Sequence, residues 1–226
     1  MSGPRSWKRR ETVGDARTSP PVTRIIAGAA GGRRLATAAG RTTRPTSDRT
    51  REGLFATVEA ICGGLRGAAV LDLYAGSGAV GLEALSRGAG DVLLIESDGR
   101  AAQVIRQNIA AVGLAGARLV TDRVERALGR GPDGPPREFV FADPPYVVGE
   151  DEIGRVLAAL LTQGWLATGA LVALERSTRS GAPTWPQGYE FDRSRRYGEA
   201  TLWYGLAAGA QPAAIPRRES EPDCGA

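Results

Sequence analysis

The sequence predicts an α/β fold: a doubly wound, mostly parallel sheet of seven strands, with an antiparallel C-terminal strand pair and a small N-terminal hairpin and helix. Between residues 69 and 175, short apolar runs alternate with amphipathic segments, as in successive β-α-β units. The last two apolar runs, residues 189–195 and 200–206, leave no room for a helix between them. They should therefore pair antiparallel at one edge of the sheet.

The predicted elements follow one another from the N-terminus. Residues 23–26 and 33–35 flank a Gly-rich turn and should pair as a hairpin. A helix should begin near Pro45, Thr46 and Ser47 and end at Gly63, because its apolar residues fall on one face. The first five strands of the sheet are predicted at residues 69–73, 92–96, 118–121, 139–142 and 171–175, with helices at residues 80–86, 101–112, 124–128 and 153–161.

One domain with two tails accounts for the chain. A length of 226 residues with 42% hydrophobic types suits a single medium-sized core. Residues 1–22 and 207–226 mix Pro, Gly, Ser and charged residues without apolar periodicity, so we expect disordered tails there. The domain should span residues 23–206, with residues 23–64 as its N-terminal hairpin and helix.

The charge of the chain indicates a polyanionic partner. Basic residues number 29 against 25 acidic ones, and Lys8 is the one lysine, so nearly all the positive charge is guanidinium. Arginine binds phosphate as a bidentate fork and stacks on bases, which favours a nucleic-acid partner. Biased codon usage, which replaces lysine by arginine throughout a proteome, would give the same composition. The positions of the arginines therefore have to distinguish a nucleic-acid partner from this explanation.

Missing residue types exclude several kinds of chemistry. The chain has no histidine, which excludes Ser-His-Asp and Cys-His catalysis and histidine-ligated metal sites, and we expect no metal. Cys62 and Cys224 lie far apart in the sequence, so a disulfide framework is not expected and a reducing compartment fits. No secretory signal or membrane-spanning apolar run is visible, and we expect a cytoplasmic protein without a membrane partner.

A glycine loop follows the first predicted strand of the sheet. Gly76, Gly78 and Gly81 have the spacing G-x-G-x-x-G, and Glu96 ends the next strand about twenty residues later. This pattern fits a dinucleotide or S-adenosylmethionine. Asp72 favours the second, because a carboxylate before the loop would repel a pyrophosphate and attract a cationic sulfonium ligand. A dehydrogenase would also usually need a His or a Tyr-Lys pair, which this chain lacks.

The candidate cofactor-binding residues lie in and around this loop. The glycines let the backbone approach a ligand, and the following helix offers N–H groups to its carboxylate. Asp72 should lie near the methionine moiety, and Glu96 should accept hydrogen bonds from both ribose hydroxyls. Asp122 could accept from the adenine amino group or cap the helix that follows it. The complete set is Asp72, Tyr74, Gly76, Ser77, Gly78, Gly81, Glu96 and Asp122.

The fourth predicted strand of the sheet delivers the sequence Asp143-Pro144-Pro145-Tyr146 to the edge where α/β sheets bind ligands. It matches motif IV of amino-group methyltransferases. The Asp143 carboxylate and the Pro144 carbonyl can each accept one hydrogen of an exocyclic base amine, which turns the nitrogen lone pair toward a methyl donor. Tyr146 can stack on the base, which must be unpaired or flipped out of a duplex. We therefore predict that Asp143, Pro144 and Tyr146 are catalytic.

Longer motifs resemble one family. They are Thr23-Arg-Ile-Ile-Ala-Gly, Thr-Arg-Pro-Thr-Ser-Asp-Arg-Thr-Arg-Glu at residues 43–52, the glycine-loop segment at 71–89, the Asp-Pro-Pro-Tyr, and Tyr-Gly-Glu-Ala-Thr at 197–201. Through them the chain resembles the bacterial 16S rRNA (guanine(966)-N(2))-methyltransferase family over about residues 23–206. Glycine loops and Asp-Pro-Pro-Tyr occur in many methyltransferases, whereas the segment at 43–52 is specific to a much smaller group of them.

The resemblance implies a class I methyltransferase fold, S-adenosylmethionine as cofactor, and guanine N2 in a hairpin loop of 16S ribosomal RNA as target, within a partly assembled small subunit. It makes Arg44, Arg49 and Arg51 candidates for RNA contact. All three lie near the start of the predicted helix and largely off its apolar face. We expect a monomer. The tail before Thr23 and a hairpin without lysine depart from the family pattern.

Two alternatives stay open at this point. A DNA methyltransferase acting on adenine N6 or cytosine N4 shares Asp-Pro-Pro-Tyr, but usually carries a separate target-recognition domain, for which we expect no room here. A non-catalytic RNA-binding protein of ribosome assembly could keep the same fold. Intact Gly76, Glu96 and Asp143 favour an enzyme over this second alternative.

Overall fold

A computed structural model describes residues 23–37 and 47–208. The N-terminal tail and residues 209–226 of the predicted C-terminal tail lie outside these ranges. The described elements are β1 (Thr23–Arg24), β2 (Arg34–Leu35), α1 (Asp48–Cys62), β3 (Ala69–Leu73), α2 (Ala79–Ser86), β4 (Asp91–Glu96), α3 (Gly99–Val112), β5 (Ala117–Thr121), α4 (Val124–Gly129), β6 (Arg137–Ala142), α5 (Glu150–Thr162), β7 (Leu166–Ser177), β8 (Tyr189–Tyr197) and β9 (Ala200–Ala207).

The main sheet has seven strands in the order β5-β4-β3-β6-β7-β9-β8. Strands β3 to β7 are mutually parallel, whereas β9 runs antiparallel to both of its neighbours, β7 and β8. A separate two-stranded antiparallel hairpin is formed by β1 and β2. The predicted fold class is therefore confirmed, including the C-terminal antiparallel pair and the N-terminal hairpin.

Two apolar cores cover the two faces of the sheet. Because side chains alternate along a strand, Val70 of β3 packs with α1, α2 and α3, while Leu71 packs with α4 and α5 on the opposite face. Helix α1 begins after Ser47, whose hydroxyl accepts from the Thr50 N–H, and ends at Gly63 in the left-handed conformation. No helix in the described ranges has the length and apolarity needed to cross a membrane.

The strand directions place six chain segments on one side of the sheet. Strands β3, β4, β5, β6 and β7 all end there, and we call this side the carboxyl edge. Since β8 is antiparallel to β9 and β9 is antiparallel to β7, β8 also ends at the carboxyl edge. The tight turn from β8 to β9, with Gly198 at φ 63, closes this end of the sheet.

Candidate functional site at the carboxyl edge

The glycine loop connects β3 to α2 in a conformation that requires glycine. Gly76 and Gly78 have φ values of 58 and 76, in the left-handed region, and Gly78 is the N-cap of α2. A Cβ atom on Gly78 would lie 3.0 Å from Leu94 Cδ2, and one on Gly81 would lie 3.1 Å from Asp72 Oδ2. The loop is thus shaped by backbone and packing together, and the first turn of α2 opens toward the edge.

Tyr74, the first residue after β3, is the one non-glycine residue with positive φ, at 59, in the described part of the chain. Residues other than glycine adopt this region at a cost, and such strain concentrates at ligand-binding and catalytic sites. Its hydroxyl donates to Glu125 Oε1 at 3.4 Å, and burial raises the pKa of Tyr74. Tyr74 therefore bends the chain sharply where the glycine loop begins.

Asp72 is buried beneath the loop. Asp72 is only 2% exposed, and its Oδ2 accepts a hydrogen bond from the Gly81 N–H at 2.8 Å. Burial raises the pKa of Asp72 to about 8, with the Glu96 carboxylate adding to the shift and the Gly81 N–H opposing it. A cation bound above the loop would relieve this cost, because it favours the charged carboxylate.

Glu96 ends β4 and binds the loop from the other side. Its Oε2 accepts from the Gly76 N–H at 2.7 Å and its Oε1 accepts from the Asp98 N–H at 2.8 Å. A carboxylate oxygen can accept more than one hydrogen bond, so these two bonds do not by themselves exclude one from a ligand hydroxyl. The predicted role toward a ribose is compatible with this geometry and stays a prediction.

Ser77 and Asp122 complete the set around the loop. The Ser77 carbonyl accepts from Asn108 Nδ2 at 2.8 Å, and the same amide group bonds both backbone groups of Ala36. Asp122 Oδ1 accepts from the Arg123 N–H at 2.8 Å and Oδ2 pairs with Arg130 at 2.8 Å. The N-cap of α4 is Arg123, not Asp122, so the simple capping alternative does not describe Asp122.

The Asp-Pro-Pro-Tyr segment leaves the sheet directly beside the glycine loop. Leu73 of β3 pairs with Ala142 of β6, and the Asp143 N–H donates to the Leu73 carbonyl at 3.4 Å. Pro144 is buried, and Val148 closes the turn by donating to the Pro145 carbonyl at 2.9 Å. The Tyr146 ring is 67% exposed at the edge, where a base could stack on it.

Arg176, near the end of β7, holds the segment that follows Asp-Pro-Pro-Tyr. It is buried, and its Nη2 donates to Glu150 Oε1 at 2.6 Å while Nη1 donates to the Val148 carbonyl at 3.3 Å. Sequence reasoning missed this residue because its partners are 26 and 28 positions away. Asn108, which joins the glycine loop to the N-terminal extension, was missed for the same reason.

The three arginines predicted to contact RNA have different outcomes. Arg44 lies outside the described residues, and Arg49 is exposed near the start of α1. Arg51 is fully buried: Nη1 donates to Thr23 Oγ1 at 2.7 Å, and Nη2 bonds the Arg24 carbonyl and Asp48. The prediction that Arg51 lies off the apolar face and contacts RNA is therefore wrong, because this guanidinium ties α1 to β1.

In the described ranges, no three or more Cys, Asp or Glu side chains lie close enough together to hold a metal ion. The acidic residues Asp72, Glu96, Asp122 and Asp143 lie at or just after the ends of strands β3 to β6 on the carboxyl edge, together with the amides of the glycine loop. They can hold a cationic organic ligand beside a hydrogen-bond acceptor for an amine.

Comparison with known proteins gives consistent matches. A family model described as conserved hypothetical protein 95 matches residues 23–205. Ribosomal RNA small subunit methyltransferase D of Escherichia coli is 38% identical over 176 residues, which is 78% of this chain and 85% of that protein. The Haemophilus influenzae protein of the same name is 32% identical, over 67% and 77% of the two chains. The solved structure of the Escherichia coli protein yhhF is 35% identical with a TM-score of 0.72, covering 83% of this chain and 98% of that one.

Proposed function

The chain belongs to the conserved hypothetical protein 95 family, and we propose that it transfers a methyl group from S-adenosylmethionine to the exocyclic N2 of a guanine in small-subunit ribosomal RNA. Relatives that carry the name ribosomal RNA small subunit methyltransferase D support the class of substrate. The guanine and its N2 atom rest on the motifs of the sequence and on the chemistry of the Asp143 site.

One observation carries the proposal. The Asp143 N–H bonds the Leu73 carbonyl at 3.4 Å, so the carboxylate proposed to grip the amine and the loop proposed to hold the cofactor leave adjacent strands side by side. Methyl transfer needs donor and acceptor held in line at close range, and positioning alone supplies a large part of such rate enhancements. Two motifs that are about seventy residues apart in sequence meet at one point of the carboxyl edge, and this edge is where α/β folds bind their ligands.

The residues around the glycine loop suit S-adenosylmethionine. The buried Asp72 carboxylate favours a cation, the α2 N-terminus favours a carboxylate, and Glu96 offers acceptors for ribose hydroxyls. Tyr74, Ser77 and Asp122 would line the same site. When bound, this cofactor supplies a methyl group on a positively charged sulfur.

The substrate side of the reaction follows from Asp143, Pro144 and Tyr146. An exocyclic base amine is a poor nucleophile because its lone pair is delocalised into the ring. Acceptance of its two hydrogens by the Asp143 carboxylate and the Pro144 carbonyl localises that lone pair, and Tyr146 holds the plane of the base. The excess proton leaves to the carboxylate or to water, so no histidine is required.

Mass mapping of small-subunit RNA tests the proposal. RNA from cells with the gene should contain an N2-methylguanosine that is missing from cells without it, and expression of the Asp143→Ala protein should not restore it. The same modification in both cell types would overturn the proposal. A methylated adenine or cytosine in DNA that depends on the gene would instead support the DNA methyltransferase alternative.

The proposal also includes the assembly state of the substrate and the oligomeric state of the enzyme. We propose a partly assembled small subunit as substrate and a monomeric enzyme in the cytoplasm, with Arg49 and Arg44 contacting RNA. Purified enzyme should methylate small-subunit particles faster than protein-free 16S RNA. Light scattering of the purified enzyme without RNA should give the mass of one chain, which is 23.7 kDa.

A further inference from the structure

The candidate cofactor residues occupy only half of the carboxyl edge. Asp72, the glycine loop, Glu96 and Asp122 all lie at the ends of β3, β4 and β5, and Asp143 at the end of β6 forms the boundary. The other half is made by β7, β9 and β8. With the cofactor on the first half, the second half is the part of the carboxyl edge next to Asp143 that a base and its flanking RNA can contact.

We propose that the end of the sheet formed by β7, β8 and the β8–β9 turn binds the phosphate backbone of the RNA substrate, through Arg179, Arg195 and Arg196. This inference rests on the proposed function and adds a surface that the sequence motifs did not indicate. Its occupant is a single-stranded or looped RNA segment next to the target base.

Pairing between the strands brings the backbones of the three arginines to the same end of the sheet. Ser177, the last residue of β7, pairs with Ala200, and Ala200 also pairs with Tyr197 at the end of β8. The Thr178 N–H donates to the Glu199 carbonyl at 2.8 Å, which fixes the start of the β7–β8 connection against the β8–β9 turn. Arg179 follows directly, and Arg195 and Arg196 precede the turn.

The charge of this surface is available to a ligand. Arg179, Arg195 and Arg196 are exposed and form no salt bridge with any residue in the described ranges. The nearby Arg176 and Arg193 differ, since they pair with Glu150 and Asp192. Glu199 is the acidic residue of the turn, and Glu175 of β7 lies in the same cross-strand row as Arg195, so three guanidinium groups lie near two carboxylates here. Arginine in this setting suits phosphate, which it binds in bidentate fashion.

Arg195 and Arg196 are adjacent in the edge strand β8, so their side chains lie on opposite faces of the sheet. Arg195 pairs with Leu202, whose side chain belongs to the core on the α1 side, whereas Arg196 pairs with Thr201 on the α5 side. The α5 side is where Arg176 reaches Val148 and the Asp-Pro-Pro-Tyr turn. The two arginines can therefore hold a backbone that passes around the edge toward Tyr146.

A close contact extends this surface to α1. A Cβ atom on Gly53 would lie only 2.0 Å from the Tyr197 hydroxyl oxygen, so the Tyr197 ring packs directly on the backbone of α1. Arg49 is four residues before Gly53 and thus on the same side of the helix. Arg49, a candidate from the sequence, is exposed one helical turn before the glycine that Tyr197 contacts, so it extends the same basic surface along α1.

The test compares two variants that have the same net charge. In Arg195→Gln/Arg196→Gln the proposed surface loses two guanidinium groups. In the control Arg66→Gln/Arg155→Gln, the exposed Arg66 lies in the loop before β3, at the opposite edge, and the exposed Arg155 lies on α5. Because Arg196 Nε also bonds the Gly198 carbonyl, a second variant, Arg179→Gln/Arg195→Gln, leaves the turn unchanged.

Affinity for a fragment of 16S RNA is measured at several salt concentrations, together with S-adenosylmethionine affinity and methyl transfer. Each lost contact with single-stranded phosphate should lower the slope of log affinity against log salt by about 0.7, so the first variant should lose roughly 1 to 1.5 in slope. We expect about tenfold weaker RNA binding at 0.15 M salt with unchanged cofactor affinity. The control should bind RNA like the wild type.

Equal RNA affinity in the surface variants and the wild type would overturn the inference, as would an equal loss in the control. Loss of cofactor affinity or of the folded state in both surface variants would also overturn it, because the residues would then be structural. A wild type that binds RNA but transfers no methyl group would contradict the proposed function and leave this surface supported.

Discussion

The two halves of the carboxyl edge differ in their ionisable side chains: the first half has buried acidic residues, and the second half has exposed arginines. On the β3–β4–β5 half, the carboxylates of Asp72 and Glu96 are buried and bonded to backbone N–H groups, so their geometry is fixed before any ligand arrives. On the β7–β9–β8 half, Arg195 and Arg196 are exposed. Such long side chains can adapt to what they bind.

This difference matches two kinds of ligand. A small cation of constant shape gains most from a rigid site, because little ordering remains to be done on binding. A large polyanion gains from several exposed guanidinium groups, whose effect depends on salt. Asp143 lies between the halves, and we therefore expect substitutions on the two sides to separate cofactor binding from RNA binding.

The largest effect is expected at the boundary. Asp143→Ala removes an acceptor for the amine hydrogens and should lower kcat by about 100- to 1000-fold, the usual cost of losing one such group. Affinity for S-adenosylmethionine should change less than about threefold, because Asp143 is not on the cofactor half. Single-turnover assays and equilibrium binding measure the two quantities.

Asp151→Ala serves as the control, since Asp151 is an exposed carboxylate at the start of α5. It should behave like the wild type. Turnover by Asp143→Ala within tenfold of the wild-type rate would remove Asp143 from the mechanism.

Glu96→Gln should act on the cofactor half alone. Both carboxylate oxygens of Glu96 accept from backbone N–H groups, those of Gly76 and Asp98. In the glutamine variant, the amide NH2 takes the place of one oxygen and cannot accept a hydrogen bond, so one of these two bonds is lost. Loss of a charged hydrogen-bond partner costs about 1.5–3 kcal/mol, so cofactor affinity should fall by roughly 10- to 100-fold. Calorimetric titration checks this, with the exposed Glu59→Gln as control; RNA affinity should not change, and an unchanged cofactor affinity would contradict the assignment of Glu96.

Arg176→Met should produce a smaller effect on the rate alone. The change removes the bonds to Glu150 and to the Val148 carbonyl and loosens the turn that follows Asp143. We expect kcat to fall by about tenfold while KM for S-adenosylmethionine stays unchanged, as for lost positioning.

Partial recovery in Arg176→Lys, together with non-additive effects of Arg176→Met and Glu150→Gln, would establish the pair as a positioning unit. If Arg176→Met merely lowered the unfolding temperature and left kcat unchanged, Arg176 would be structural.

A further prediction concerns Asp72 and the pH dependence of stability. Its pKa is about 8 in the folded protein and about 3.9 in an unfolded chain, so the folded state keeps a proton that the unfolded state has lost. Stability without ligand should therefore fall as the pH rises from about 4 to 8. Asp72→Asn should flatten this dependence in urea unfolding, whereas the exposed Asp151→Asn should not; identical profiles for all three proteins would refute the shift.

Much of this arrangement could be predicted from local patterns. The strands of the main sheet have runs of apolar residues, and Ser47 and Gly63 mark the ends of α1 with their own side-chain and backbone preferences. The glycine loop and Asp-Pro-Pro-Tyr could be placed together because parallel strands end at one edge. These inferences need only residues close in sequence and one rule of topology.

The failures involve contacts that are distant in sequence. Arg51 lies three, four and seven residues before the buried Leu54, Phe55 and Val58, which places it on the buried face of α1. Its guanidinium bonds Thr23 and Arg24, 28 and 27 positions earlier. Arg176, Asn108 and the contact of Tyr197 with Gly53 have no local signature for the same reason. Long polar side chains can lie in water or bridge elements, and periodicity does not distinguish these states.

Binding of S-adenosylmethionine to the purified protein is the most direct test of the site. Calorimetric titration of the wild type and of Asp143→Ala, each shown by circular dichroism and thermal unfolding to be folded, should give similar one-site binding in the micromolar to sub-millimolar range, about 1 μM to 1 mM. Absence of binding to the folded wild type would contradict the assignment of the β3–β4–β5 half and, with it, the methyl transfer proposed at Asp143.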